Sequence, residues 1–267
     1  MATLIEWGMA GLLGLVVGSF LNVLIARLPR MIERDLEAAA TDAPAFNLAT
    51  PASHCPVCLT PLSWRDKWPV LSFVWLRGRC RHCGVTISWQ YPAVELLTAL
   101  WFVAMVGVYG PGVTAGCWAA WGAALMALAC IDARTCYLPD AITQPLCWAG
   151  LLAASLGWIG VDLSSAVWGA VAGYLMLWSV AMAFRLIRGI DGMGAGDFKL
   201  LAALGAWLGW QSLSVLVLVA CVLGIAQGLW RPRAEREAQP YFPFGPSLCL
   251  AGVLVWGWGR GQPLGLF

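Results

Sequence analysis

Apolar residues gather into eight long runs, near 4–26, 91–109, 113–131, 141–160, 164–187, 198–210, 213–230 and 244–259, with polar residues concentrated between them. The runs lack sustained period-two alternation, and most approach the length of about 20 residues that a helix needs to cross a hydrocarbon core about 30 Å thick. The pattern predicts an all-α polytopic membrane protein of about eight transmembrane helices. Between the first and second runs lies the one long polar stretch, residues 27–90. The sixth run is short. From Phe198 to the break at Gly209-Trp210-Gln211 it has 13 residues, which make about 20 Å of helix. If that helix reaches the far interface, the glycine-rich stretch before it lies below the near headgroups, where irregular backbone must face protein or water. A polar cavity opening toward the cytoplasm is therefore expected.

Composition agrees and excludes a water-soluble domain: 60% of residues are hydrophobic, 11% are charged, and the mean hydropathy is +0.75. The first run carries Glu6, has no basic residue before it and lacks a small-residue cleavage pattern, so it is expected to stay attached as the first transmembrane helix. A net charge of +2 says little about partners, because in a membrane protein the placement of charge matters more than its sum. With an extracytoplasmic N-terminus, segments 27–90, 132–140, 188–197 and 231–243 and their flanks hold 15 of the 16 Lys and Arg, leaving only Arg260 on the other side. The positive-inside rule then puts residues 27–90 in the cytoplasm and both termini outside. No nucleic-acid partner is expected, and the 17 Trp read mostly as interfacial anchors or lipid-facing bulk.

Within the polar stretch, residues 31–54 begin as a charged helical segment and turn into a Pro- and Ala-containing loop. CPVC and CRHC follow. Cys55, Cys58, Cys80 and Cys83 thus form C-x2-C-x21-C-x2-C, close to the spacing at which two thiolate pairs converge on one tetrahedral zinc. Two disulfides are the alternative, but a segment on the reducing side of the membrane favours zinc. His54 and His82 adjoin the cysteines and read as surface residues. The other six cysteines lie in or beside apolar runs, where free Cys acts as a small hydrophobe.

Two acids stand out because an ionisable group is expensive in lipid-grade sequence: Asp132 in IDARTCYLPD and Asp197 in GMGAGDFK. Peptide hydrolysis by two carboxylates needs one ionised group to take a proton from water and one neutral group to donate to the carbonyl oxygen, so such a pair shares a proton. Sixty-five residues separate the two, and only tertiary packing can bring them together. Gly192, Gly194 and Gly196, lacking Cβ atoms, would let an extended substrate backbone approach. Plainer roles stand beside these. Asp132 can sit in the headgroup zone, and Asp197 can serve the N-terminus of its helix as cap or first-turn anion. Asp140 reads as the cap of the fourth helix, Asp191 as a solvated loop residue, and Lys199 as a snorkelling side chain. Glu95, inside the second span, is open between a buried functional acid and one that reaches the interface. Asn22 reads as interhelical glue.

GSFLNVLIARLP, HCPVCLTPL, PVLSFVWLRGRCRHCG, ISWQYPAVELL, IDARTCYLPD, GMGAGDFKLLAALGAWLG and PFGP, in this order over nearly the whole chain, resemble the bacterial type IV prepilin peptidases, GxGD-type membrane aspartic proteases. The resemblance implies a bifunctional enzyme of the bacterial inner membrane, with its active site facing the cytoplasm. It would cut the basic leader from prepilins and type II secretion pseudopilins and N-methylate the exposed residue with S-adenosylmethionine. It also implies that Asp132 and Asp197 are the catalytic pair. The implied organisation is a first transmembrane helix at 1–26, a cytoplasmic zinc segment at 27–90 and a seven-helix membrane domain at 91–267. No dinucleotide-type glycine fingerprint marks the methyl-donor site, whose residues stay unassigned. Three rivals compete: an ion-coupled transporter using the intramembrane acids, a presenilin- or signal-peptide-peptidase-like protease, and a zinc scaffold. The transporter shows no repeat of the glycine motif, and the scaffold leaves both aspartates without a role.

Overall fold

The computed structural model describes residues 3–37, 46–190, 192–230 and 242–261. Nine α-helices are defined among them: α1 (Leu4–Glu37), α2 (Leu71–Trp75), α3 (Gln90–Tyr109), α4 (Val113–Thr135), α5 (Asp140–Ser155), α6 (Leu163–Arg188), α7 (Ala195–Leu208), α8 (Leu213–Trp230) and α9 (Gly245–Gly261). Among the described residues β structure is limited to two isolated bridges, His54 with Pro61 and Arg79 with Thr86. All eight predicted apolar runs are helical. Five described helices, α1, α3, α4, α6 and α8 with its preceding turn, are long and apolar enough to cross a membrane. This is a multi-pass membrane protein.

The first helix runs further than its apolar run. Its 34 residues pass through Pro29 and the charged stretch to Glu37, because Glu, Arg and Leu are good helix formers and the apolar turns before them supply the nucleus. At 1.5 Å per residue it is about 51 Å long, well beyond a hydrocarbon core.

Two compact units make up the chain, 1–127 and 128–267. In the first, α1 packs along α3 with unusually close backbones. A Cβ on Gly18 would lie 2.7 Å from the Glu95 Cα, so the approach requires glycine there. Asn22 is buried in this interface, and its Nδ2 donates to the Tyr91 carbonyl at 3.0 Å, the interhelical bond expected of it. Glu95 is also buried, with its carboxylate accepting from the Val70 N–H at 2.7 Å. Val70 stands at φ 57°, the N-cap of α2.

In the second unit α7 is the centre, packed against α5, α6 and α9. Gly205 of α7 meets Gly169 of α6 backbone to backbone, and a Cβ on either would overlap the other's carbonyl. Trp207 lies over Gly150 of α5 and donates from Nε1 to the Leu146 carbonyl at 2.8 Å. Trp207, with Trp118 and Trp121 of α4 in the first unit, is buried, so these three belong to the core rather than to the lipid surface.

Candidate active site and metal centre

Asp132 lies one turn from the end of α4, which stops where Cys136 turns left-handed at φ 50° and its N–H bonds back to the Asp132 carbonyl at 2.8 Å. The side chain is buried, 4% exposed, and its Oδ2 accepts the N–H of Gly245 at 2.9 Å. Gly245 is the first residue of α9. Its N–H is one of the donors that a helix leaves unpaired at its start, and the positive end of the helix dipole comes with it. A Cβ on Gly245 would sit 2.7 Å from that same Oδ2, so any other residue makes the carboxylate or the helix start give way. Phe244, just before it, rests against Gly224 of α8, which fixes where α9 begins.

Asp197 is the third residue of α7, whose N-cap is Gly194, so it occupies the first turn and not the cap. The structure brings it near enough to Asp132 for the two carboxylates to repel each other, and buried Cys249 of α9 lies within the electrostatic reach of both. Two acidic side chains, one from α4 and one from α7, thus lie within electrostatic reach of each other, Asp132 at the N-terminus of α9.

The glycines before Asp197 mostly serve the fold. A Cβ on Gly196 would come 2.8 Å from the Leu138 Cβ, and one on Gly192 would come 2.6 Å from the Phe184 ring. Only Gly194 has open space around it. At Gly196 and Gly192 the neighbour that needs the missing Cβ belongs to the chain itself, and at Gly194 the space is open.

Asp140 does not cap its helix. Extended Pro139 holds the N-cap position of α5, and Asp140 follows in the first turn. Its two oxygens bind Lys199 Nζ at 2.7 Å each, so Lys199 is paired rather than snorkelling. That pair joins the segment after Asp132 to the helix that carries Asp197. Asp191 lies outside the described residues.

The four cysteines of the first unit converge. Their sulfurs all lie within 4.8 Å of one another, with Cys55 to Cys83 at 3.7 Å and Cys58 to Cys80 at 4.0 Å. All four are free thiols. A tetrahedral ion with bonds of 2.3 Å spaces its sulfurs about 3.8 Å apart, so this donor set is sized for zinc. Each half is built alike. After CPVC, Leu59 turns left-handed at φ 58° and its N–H returns to the Cys55 carbonyl at 2.9 Å; after CRHC, Gly84 does the same at φ 72°, returning to Cys80 at 3.0 Å. Hydrogen bonds from Thr60, first from its hydroxyl, lower the Cys58 thiol to about 6. Cys80 is lowered by backbone bonds from Cys83 and His82. Cys83 is pushed up to about 11, because the Val85 N–H that favours its thiolate is outweighed by lost hydration and the neighbouring sulfurs. His54 and His82 are exposed and stand outside the cluster.

Two family models match the chain. The bacterial peptidase A24 N-terminal domain matches residues 12–109, and the type IV leader peptidase family matches residues 119–229. A prepilin leader peptidase/N-methyltransferase of Aeromonas hydrophila is 47% identical over 92% of this chain and 89% of its own length. The chain belongs to the type IV leader peptidase family. Proteins of the same name from Dickeya chrysanthemi and Stutzerimonas stutzeri are 48% and 43% identical, over 91% and 92% of this chain and 89% of their own lengths. No solved structure matches the chain. Within this family member, Gly245 is the site residue that sequence reasoning missed. PFGP stood out as a string, but nothing in it says that its glycine meets an aspartate 113 positions earlier.

Proposed function

We propose that this enzyme of the type IV leader peptidase family cuts the leader from type IV prepilins and type II secretion pseudopilins with Asp132 and Asp197. It then methylates the exposed N-terminus, with S-adenosylmethionine as the donor. The single observation that carries the peptidase reading is that Asp197 lies within electrostatic reach of Asp132, whose Oδ2 accepts the first N–H of α9.

One carboxylate takes a proton from water as its oxygen adds to the scissile carbonyl, while the other donates a proton to the carbonyl oxygen. Collapse of the tetrahedral intermediate breaks the C–N bond: the departing amine takes up the proton that the first carboxylate gained, and one hydroxyl of the intermediate returns its proton to the second carboxylate as the carbonyl re-forms. The Gly245 N–H keeps Asp132 oriented through these steps. The Lys199–Asp140 pair holds the start of α7 in place against α5.

In this reading Cys55, Cys58, Cys80 and Cys83 hold one structural zinc. Bound there, zinc would supply folding energy to the segment and leave no open position for catalysis. The organisation that goes with this is a first transmembrane helix at 1–26, a cytoplasmic segment at 27–90 and a membrane domain at 91–267. All of α1 and α3 to α9 cross the bacterial inner membrane, and the aspartates face the cytoplasm, where a basic leader ends.

Purified protein in detergent, incubated with a prepilin and read by mass spectrometry, tests both activities. Asp132→Asn and Asp197→Asn should each abolish cleavage while the chain still inserts and accumulates, and the double variant should be little worse than either, as for groups acting as a unit. Substantial cleavage by either single variant would remove that residue from the mechanism.

A further inference from the structure

The short helix α2 turns apolar side chains outward. Trp75 is 81% exposed, and Leu71 and Val74 are exposed with it. In water such a surface is a cost, yet α2 is firmly held. The Glu95 carboxylate accepts the N–H of Val70, the N-cap of α2, at 2.7 Å, and the Phe73 and Trp89 rings pack with centroids 4.8 Å apart. Both holds fasten α2 to the start of α3. Between the two helices lies an open cleft lined by Phe73, Val74, Arg77, Arg79, Trp89 and Leu96.

The level of that cleft along α3 decides which solvent it meets. The 20 residues of α3 make about 30 Å of helix, the thickness of a hydrocarbon core, so the helix has no turn to spare. With α3 across the bilayer, Gln90 stands at one edge of the core and Leu96 about 9 Å inside it. Leu96, Leu97 and Leu100 are all exposed, so the cleft is the outer end of a lipid-facing stripe. Trp64, Trp68 and Trp89 are exposed on the same segment, and tryptophan is enriched where membrane meets water.

Charge then selects among lipids. Between residues 55 and 96 five Lys and Arg stand against two acids, Asp66 and Glu95. Both acids are engaged, Asp66 with Arg81 at 2.8 Å and Glu95 with Val70. Arg77 and Arg79 are exposed at the cleft, and among the described residues neither has an acidic partner.

We propose that α2 lies in the membrane–water interface and that Arg77 and Arg79 bind the phosphate of an anionic phospholipid, whose acyl chains run along Leu96 and Leu100. This rests on the reading of α3 as a spanning helix. A phosphate diester takes guanidinium groups in charge-assisted bonds, its chains cover the apolar stripe, and the rings fill the zone between. The same two arginines repel a basic leader, and a zwitterionic lipid brings them an ammonium along with its phosphate. The Glu95–Val70 bond keeps α2 at the level of the headgroups, so docking holds the cysteine segment against the bilayer.

Two measurements on the full-length protein test this. In native mass spectrometry of the detergent-solubilised protein titrated with phosphatidylglycerol, the double variant Arg77→Gln, Arg79→Gln should bind its first lipid about thirtyfold more weakly, which is about 2 kcal/mol for two cations at a membrane surface. Arg77→Lys, Arg79→Lys keeps both charges and should restore most of the binding. Arg65→Gln, Lys67→Gln removes two charges outside the cleft and should stay close to wild type. Equal losses in the two Gln variants, or no loss in either, would overturn the site. In nanodiscs of phosphatidylcholine and phosphatidylglycerol, a benzophenone amino acid in place of Trp75 should crosslink to phospholipid, as should one in place of Leu100 if α3 spans. Lipid at position 100 with only protein captured at position 75 overturns the docking of α2 and leaves the spanning reading intact. Lipid at neither position overturns both.

Discussion

Replacing Gly245 by alanine should slow leader cleavage by about ten- to a hundredfold without preventing folding. The added methyl would lie 2.7 Å from Asp132 Oδ2 and 3.0 Å from its Cγ. Ordinary contact is about 3.5 Å, so the carboxylate or the start of α9 has to give way by most of an ångström. The bond from the Gly245 N–H, now 2.9 Å, is then stretched or broken. A hydrogen bond to a charged group contributes about 1.5–3 kcal/mol, and each 1.4 kcal/mol lost from the transition state is about tenfold in rate. The assay is initial-rate cleavage of a purified prepilin, with expression level and bound metal as checks on folding. Gly116→Ala on α4, where a Cβ meets nothing within 4 Å, is the control for inserting a methyl into a helix. Cleavage by Gly245→Ala at the wild-type rate would refute the reasoning, since it would mean that Asp132 works equally well without this donor.

Gly196→Ala should lower the thermal midpoint, because its Cβ would come 2.8 Å from Leu138, whereas Gly194→Ala, whose Cβ meets nothing within 4 Å, should leave the midpoint alone and, on the reading that substrate passes this glycine, raise KM for prepilin; a fluorescence melt with a parallel KM series separates the two. Cys→Ser at position 55, 58, 80 or 83 should reduce bound zinc from about one per chain to near none in metal analysis, and adding zinc to the stripped protein should release protons as the remaining thiols ionise. The Asp140–Lys199 pair is half-exposed, with side chains 46% and 31% accessible, so a double-mutant cycle should return a coupling of about 1 kcal/mol or less. Asp66 is held below the usual carboxylate range by the Ser63 hydroxyl and then by Arg81. A depressed carboxyl stabilises above its unfolded value and loses that contribution as pH falls through the folded one, so the gap in midpoint between wild type and Asp66→Asn should be full at about pH 6 and close below about pH 4.

Much of this architecture was legible because the signals are local or compositional. An apolar run long enough to span declares itself, and four cysteines in two C-x2-C pairs fold the same knuckle twice, so their convergence follows from spacing. What stayed hidden depends on contacts between distant segments. Asp140 looked like a cap because aspartate favours that position, yet Pro139, already extended at ψ 131°, takes it and frees the carboxylate for Lys199, 59 residues away. The glycines before Asp197 looked like a path for substrate because glycine permits close approach, but sequence cannot say which neighbour approaches. At Gly196 it is Leu138 of the same chain.

The shortness of α7 and its burial are one fact seen twice. Its 14 residues span about 20 Å, too little for a helix facing lipid on its own. From Leu200 to Trp207 every residue is buried, with α5, α6 and α9 packed around it. The glycine contacts with α6 at Gly205 and with α5 at Gly150 are what let those neighbours close in. Since protein surrounds the helix, its N-terminal loop can end below the headgroups without exposing backbone polar groups to hydrocarbon. Asp197 is placed in the first turn of α7 by that loop, and Asp132 in the last turn of α4. A longer α7 would carry Asp197 a full turn away for each 3.6 residues added, about 5.4 Å, and the carboxylates would no longer meet.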